Sequence, residues 1–157
     1  MNTNERESLL AELRSAVGAA EDRATVLLRV ANILRNSGNY RWVGLCDVDL
    51  RAGKVANIVW SGPGAPEHPV FPVSKGLTGA AITERRTINA GDVAADPRYL
   101  TAFGTTLSEI IVPVFDEQHE RVIGTIDVES AEPNAFTREV QELLEDCSRV
   151  IQPLWKG

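Results

Sequence analysis

The order of the predicted elements indicates an α+β fold built on a central, mostly antiparallel sheet of five or six strands. Two helical segments open the 157-residue chain, strands fill most of its middle, and one helix closes it. Helices contributed by both chain ends would cover one face of such a sheet. Two long irregular segments, 61–72 and 92–106, are left for the opposite face, where loops of this length usually bind ligands.

Apolar residues at helical spacing predict the three long helices. The first helix spans 4–17, the second spans 21–36 with Gly38 as its left-handed cap, and the last runs from the N-cap Thr137 to Trp155. A short helix is predicted at 80–85, after the glycine-rich turn 76–79. The predicted buried stripes are Leu9, Leu10, Leu13 and Val17; Leu27, Val30, Ala31 and Leu34; and Val140, Leu143, Leu144, Cys147, Val150, Ile151 and Leu154.

Strands are predicted where β-branched and aromatic residues lie between turn residues. Segments 40–49 and 55–60 form one predicted hairpin through 51–54, and segments 108–115 and 121–130 form another through 116–120. A short strand is predicted at 87–90. Segment 61–72 is predicted to be a loop because its prolines and glycines exclude helix and central strand.

The strand 121–130 carries two acids within an otherwise apolar sequence. Alternation along a strand places Thr125, Asp127 and Glu129 on one face, together with Ile123. The opposite, core-facing set is Val122, Gly124, Ile126 and Val128. Two carboxylates about 7 Å apart suit a cation, an ammonium group or a shared proton. Because antiparallel sheets often expose one face to water, the pattern alone leaves a solvated surface equally open.

Composition narrows the possible partners. The net charge is −6, the isoelectric point is near 5.0, and the densest basic cluster is only Arg85-Arg86. Nucleic acid and anionic membranes are therefore not expected as partners. The acidic N-terminus does not resemble a signal peptide, and no apolar run is long enough to span a membrane. We expect a single cytoplasmic domain over residues 1–157.

The cysteines and histidines do not suggest a cofactor. Cys46 and Cys147 are expected to be reduced, and Cys147 lies on the apolar stripe of the last helix. His68 lies among prolines and His119 in a predicted turn, which gives no Cys/His cluster with metal-ligand spacing and no convincing haem ligand. We therefore predict neither a metal nor another cofactor.

Five short motifs follow one another along the sequence. They are Trp42-Val43-Gly44, Gly76-Leu77-Thr78-Gly79-Ala80-Ala81, Asp92-Val93, Ser108-Glu109-Ile110-Ile111-Val112-Pro113 and Gly124-Thr125-Ile126-Asp127-Val128-Glu129-Ser130. In this order they resemble the GAF domain, over a region from about Leu27 to Leu154, and within that superfamily the sequence is most similar to the free methionine-(R)-sulfoxide reductase group. The resemblance implies a GAF-like sheet with a ligand pocket under its loops.

The sequence departs from the reductase group at both of its catalytic cysteines. Thr78 replaces the cysteine of the group's Gly-Val-Cys-Gly turn, and Ala102, followed by Phe103, replaces the cysteine of its Ile-Ala-Cys-Asp loop. Sulfoxide reduction by that route needs one thiolate to attack the substrate sulfur and a second thiol to resolve the product. The resemblance therefore implies a pocket without its usual catalyst.

Several pocket residues of the group are retained. The resemblance assigns Glu109, Asp127 and Glu129 to the carboxylates that receive the ligand's polar groups, and Trp42 to the pocket tryptophan. Cys46 shares the strand face of Trp42 by its even spacing, at a position where the family usually carries an aromatic residue. The candidate ligand-binding residues are Trp42, Cys46, Thr78, Ala102, Glu109, Asp127 and Glu129.

Three functions are compatible with the sequence. The leading hypothesis is a sensor or regulatory domain of signal transduction whose acids bind an amine-bearing small molecule beside Trp42. An alternative is a divergent methionine sulfoxide reductase in which Cys46 alone is the nucleophile and an outside reductant resolves it. The third is a ligand-free dimerisation module. We expect a homodimer. The N-terminal segment 1–20, which contains the first helix, is a possible pairing element through Leu9, Leu13 and Val17.

Overall fold

The computed structural model describes residues 1–99 and 105–155. Within these ranges four helices and six strands follow one another, with two single-turn 3₁₀ helices at Val93–Ala95 and Gln152–Leu154. The elements are α1 (Thr3–Val17), α2 (Arg23–Gly38), β1 (Trp42–Asp49), β2 (Lys54–Ser61), β3 (Val70–Pro72), α3 (Gly76–Glu84), β4 (Ile88–Ala90), β5 (Ser108–Phe115), β6 (Val122–Ser130) and α4 (Arg138–Ile151). The predicted α+β architecture is confirmed.

The six strands form one antiparallel sheet in the order β3-β2-β1-β6-β5-β4. The chain-terminal helices pack on one face of it: α2 contacts β1 and β2, α4 contacts β5, and α1 packs on α2 and α4. Among the buried residues between these layers are Leu13, Leu27, Val43, Ile110 and Ile126. The opposite face is covered in part by α3, whose Leu77 packs against Ile111 of β5.

Side-chain caps define where the long helices begin. Asn2 and Glu5 form a reciprocal capping box at α1, Asp22 accepts from the Thr25 amide at α2, and Thr137 caps α4 as predicted. The prediction of Gly38 as the left-handed cap of α2 is wrong by one residue. Asn39 adopts that conformation, at φ 52°, whereas Gly38 is the last helical residue.

Tyr40 explains why a glycine precedes that cap. A Cβ atom on Gly38 would overlap the Tyr40 ring, so the glycine is needed for close approach and not for its backbone angles. Asparagine tolerates the left-handed region better than most residues, which allows Asn39 to end the helix.

A β-bulge at the start of β6 makes its side chains alternate differently from the prediction. Val114 pairs with Gly124 but Phe115 pairs with Val122, so the register skips Ile123. As a result Val122 packs with Cys46 and Val55, whereas Ile123 contacts the helix-side core. The predicted faces of Val122 and Ile123 were therefore reversed. Beyond the bulge, Ile126 and Val128 are in the helix-side core, as predicted.

The segment predicted as a loop at 61–72 ends in a short strand. Val70–Pro72 pairs with the start of β2 and forms one edge of the sheet. Proline is compatible with this position because an edge strand needs hydrogen bonds on one side only. The prediction of a loop over the whole segment is therefore wrong for these three residues. They form an edge strand, which the prolines do not exclude.

Candidate functional site

A small cavity lies on the sheet face opposite α2 and α4. Its volume is about 50 Å³, and strands β1, β2, β3, β5 and β6, helix α3 and the segment before β3 all contribute side chains to it. Six of the seven predicted site residues line the cavity, namely Trp42, Cys46, Thr78, Glu109, Asp127 and Glu129. The seventh, Ala102, lies outside the described residues. Sequence reasoning missed Asn57, Pro66, His68, Phe71, Gly76 and Leu77.

Strand register brings the three acids together at the centre of the sheet. Glu109 on β5 lies directly opposite Glu129 on β6, and Asp127 is two residues further along the same face. Glu109, Asp127 and Glu129 are only 8%, 9% and 2% exposed. The carboxylates are therefore buried, which excludes the alternative that this strand face is a solvated surface.

The hydrogen bonds of the acids are incomplete. The Thr78 hydroxyl donates to Asp127 Oδ2 at 3.2 Å, and the Thr106 hydroxyl donates to Glu129 Oε1 at 2.6 Å. Asp127 Oδ1 and Glu109 Oε2 are buried without a hydrogen-bond partner among the described residues. Buried polar atoms are normally paired, so these two oxygens are positioned to accept hydrogen bonds from a ligand.

Burial changes the ionisation of all three acids. Burial, together with the nearby charges of Glu129 and Asp127, raises the pKa of Glu109 well above its usual range. Burial also raises the pKa of Asp127 to about 6 and that of Glu129 to about 7, although hydroxyl hydrogen bonds act in the opposite direction. The site therefore favours protonated acids unless a positive charge enters it.

Trp42 forms an aromatic wall of the cavity, and two glycines make room for it. A Cβ atom on Gly44, the next residue on the same strand face, would overlap the indole ring, and one on Gly62 would overlap its edge. The indole Nε1 donates to the Gly64 carbonyl oxygen at 3.0 Å. Since Gly44 pairs with Asp127 across the strands, the ring is held next to the acids.

Cys46 lies in the same cavity with its thiol directed at an acid. Its Sγ is 4.0 Å from Asp127 Oδ2 and 3.9 Å from Asn57 Nδ2. Burial and the charge of Asp127 raise the pKa of this thiol well above its usual value. A thiol in such surroundings is a poor nucleophile, because the thiolate is the reactive form.

The described residues give no support for a metal centre. None of their His, Cys, Asp and Glu side chains form a group of three or more that could hold a metal ion. Cys46 and Cys147 are both buried and unpaired by a disulfide. Within the same ranges, no helix is long and apolar enough to cross a membrane.

A family model described as the GAF domain matches residues 20–151. Among curated proteins, GAF domain-containing protein A of Dictyostelium discoideum is 25% identical over 130 residues, covering 83% of this chain and 79% of that protein. The free methionine-R-sulfoxide reductase of Saccharomyces cerevisiae is 30% identical over 77 residues, covering 49% of this chain and 42% of that protein.

Solved structures are similar to this fold over most of the chain. The free methionine-R-sulfoxide reductase of Neisseria meningitidis, in complex with its substrate, superposes with a TM-score of 0.87 at 25% identity, covering 98% of this chain and 91% of that one. The type II enzyme of Thermoplasma acidophilum reaches 0.78 at 28% identity, covering 84% and 91%. Because the GAF domain model matches residues 20–151 and the sheet has the corresponding fold, the chain belongs to the GAF domain family.

Proposed function

We propose that this protein is a small-molecule-binding GAF domain, with a sensor or regulatory role, whose ligand carries a protonated amine. The observation that carries the proposal is the pair of buried, unpartnered oxygens, Glu109 Oε2 and Asp127 Oδ1, in the wall of a cavity. An ammonium group supplies both the hydrogen-bond donors and the positive charge that these carboxylates lack.

The aromatic wall supports the same ligand chemistry. The Trp42 ring and the Phe71 side chain line the cavity near the acids. The face of an indole ring attracts cations, and its apolar surface also accommodates an aliphatic chain attached to the amine. A ligand with a cationic head and an apolar neighbouring group therefore fits the described walls.

The volume of the cavity limits what it can hold as it stands. About 50 Å³ accommodates one or two water molecules or an ammonium head group, whereas sites for drug-sized ligands are typically about 300–1,000 Å³. We infer that the cavity holds the head group and that a larger ligand displaces a wall. Pro66 and His68 precede the short edge strand β3 and are not among its residues that pair with β2, so we expect their segment to be the wall that moves.

Calorimetry and ligand-observed NMR test this proposal with a panel of primary amines, amino acids, methionine sulfoxide and nucleotides. We expect saturable binding by amine-bearing compounds, weakened at least tenfold by Asp127→Asn. Asp116→Asn is the matched control, because Asp116 is also buried but is paired with Arg121 outside the cavity. If no member of the panel binds, the proposal is refuted.

A divergent sulfoxide reductase is the second candidate, favoured by the similarity to reductases and by the position of Cys46 in the cavity. In that reaction Cys46 would take the sulfoxide oxygen and become a sulfenic acid, releasing the thioether. Two equivalents of an external thiol would then reduce the sulfenic acid to the Cys46 thiol and water, and would themselves be oxidised to a disulfide. The raised pKa of Cys46 opposes this function.

A turnover assay with free methionine-(R)-sulfoxide and a thiol reductant separates the two candidates. We expect no turnover above the rate without protein. Turnover that disappears in Cys46→Ala would favour the reductase, and turnover that survives this substitution would exclude Cys46 as the nucleophile.

The two reduced, buried cysteines also fit a reducing compartment. We propose a cytoplasmic location on this ground, and fractionation of cells that produce the protein with a C-terminal tag tests it.

A further inference from the structure

The acids of the site face one another with little opposing charge. Glu109 and Glu129 are direct cross-strand partners, and Asp127 lies on the same face. Among the described residues that line the cavity, His68 is the only basic side chain. Arg41, just before β1, also acts on Glu129 and favours its ionised form.

The other hydrogen-bonding side chains at Asp127 and Glu129 in the described part of the chain are neutral groups. From α3 the Thr78 hydroxyl contacts Asp127, from β1 the Cys46 thiol points at the same carboxylate, and the Thr106 hydroxyl contacts Glu129. Like charges directly opposite on neighbouring strands repel, and burial strengthens the repulsion because water no longer screens it. Three ionised carboxylates in this space would be strongly unfavourable.

Resting on the proposed function, we propose that the site binds its cation by proton exchange. The acids of the unliganded site share at least one proton near neutral pH, and an entering ammonium group displaces it to solvent. The balance is one ammonium bound for each proton released, with no change in the covalent bonds of the ligand.

The hydrogen bonds indicate which acid holds the proton. Asp127 and Glu129 each accept a bond from a threonine hydroxyl at one oxygen, which stabilises a carboxylate even though Asp127 Oδ1 has no partner among the described residues. No such threonine bond reaches Glu109, whose buried Oε2 has no donor in the same ranges. The pKa of Glu109 is raised well above its usual range, which agrees with this assignment. Glu109 is therefore the protonated partner of the Glu109–Glu129 pair.

Proton exchange makes binding depend on pH in a defined direction. Release of one whole proton tightens the affinity for a cation by about tenfold per pH unit as pH rises, up to the pKa of the unliganded pair. A neutral ligand would leave the proton in place and show no such dependence. The mechanism thus distinguishes cations from neutral ligands and links the affinity for a cation to pH.

NMR of protein with ¹³C-labelled Glu and Asp carboxyl groups tests the proposal, using methylammonium chloride as the probe and potassium chloride at equal ionic strength as the control. Binding is followed independently at the Trp42 indole N–H signal. We expect one site carboxyl to be protonated at pH 7 in the free protein and to ionise as methylammonium saturates the Trp42 shift. Proton release on binding should be measurable by titration in unbuffered solution.

The outcomes distinguish this inference from the proposed function. Saturable binding at Trp42 without proton release, or three ionised acids in the free protein, overturns proton exchange and leaves amine binding intact. Absence of binding by methylammonium overturns the exchange, whereas the proposed function fails only if the full panel of ligands also fails to bind. Glu109→Gln should abolish proton release, and Asp116→Asn, outside the site, should leave it unchanged.

Discussion

At the scale of single residues, the three acids of the cavity reduce the stability of the unliganded fold. Each carboxylate is removed from water, and Glu109 has an oxygen that no described residue satisfies. Burying an ionisable group without a counter-charge costs free energy, which appears as the raised pKa values of these acids. The cost is removed when a cation binds, so the same groups that destabilise the empty site favour its occupation.

Glu109→Gln should therefore change the pH dependence of unfolding. Because the folded-state pKa of this acid lies above its unfolded value of about 4.3, its favourable contribution is present at low pH and is lost as pH rises through the folded-state pKa. We expect the wild-type free energy of unfolding to decrease from pH 5 to pH 8. The substitution should make that decrease smaller, as measured by urea unfolding at several pH values.

Asp116→Asn is the control for this measurement, because the pKa of Asp116 is shifted in the opposite direction to that of Glu109. The backbone amide of Glu120 and the nearby Arg121 lower the pKa of Asp116, so its contribution is lost only as pH falls below about 4. The slope between pH 5 and pH 8 should be the same in this variant as in the wild type. An unchanged slope in Glu109→Gln would show that Glu109 is ionised without cost in the empty site.

Gly44→Ala tests how the Trp42 wall is built. The added Cβ would overlap the indole ring, so we expect the ring to leave its position and amine binding to weaken by at least tenfold. Indole fluorescence should report the displacement, and calorimetry should report the loss of affinity. Gly18→Ala is the matched control, because its Cβ would meet only backbone atoms at ordinary contact distances, 3.6 and 3.8 Å. Equal ligand affinity in the two variants would contradict the role of Gly44.

The sequence predicts the main side chains of the site, including Thr78 beside Asp127, but not the further hydrogen-bonding side chains Thr106 and Asn57. Asp127 and Glu129 stand out because acids rarely interrupt buried strands, and Glu109 and Trp42 follow from the GAF motifs. Thr106 and Asn57 have no such signal, since a threonine near a strand start and an asparagine in a strand are ordinary surface residues. Only the tertiary register brings Thr106 to Glu129 and Asn57 to Cys46.

At the scale of elements, the sequence predicts the sheet wherever apolar and polar side chains alternate regularly along a strand. The prediction fails where a bulge or a proline interrupts that alternation. The register between β5 and β6 follows the predicted pattern from Ser108 to Val114 and then shifts at Ile123. Both Val122 and Ile123 are β-branched apolar residues, so hydrophobic periodicity cannot reveal which one the bulge turns toward the helices. The edge strand β3 was also not predicted, because the prolines in and before it favour a loop.

Gly124→Ala tests the packing that follows this bulge. A Cβ at this position would overlap the indole of Trp155, whose Nε1 donates to the Cys46 carbonyl oxygen at 3.0 Å. We expect a loss of about 2–3 kcal/mol in the free energy of unfolding, from overpacking and the broken hydrogen bond. Chemical denaturation measures this loss, and a change below about 0.5 kcal/mol would show that Trp155 has another position of equal energy.

At the scale of the whole molecule, the two sheet faces have different roles. The helix-side face contains the larger apolar core, whereas the other face holds the acids, Thr78 and Cys46 within a smaller one. This division was predictable from the order of elements, because helices at both chain ends must cover one common face. The predicted role of the first helix in a homodimer stays a prediction, but Leu9 and Leu13 are buried within the chain itself.

Leu13→Ala and Leu28→Ala separate packing within the chain from pairing between chains. Leu13 on α1 is fully buried, whereas Leu28 on α2 is 43% exposed. We expect Leu13→Ala to lower the free energy of unfolding by about 2–5 kcal/mol and Leu28→Ala by about 0.5 kcal/mol or less. Because Leu13 packs within its own chain, its effect should not vary with protein concentration. If the loss in Leu13→Ala grew on dilution while light scattering showed dissociation, the first helix would instead belong to a subunit interface.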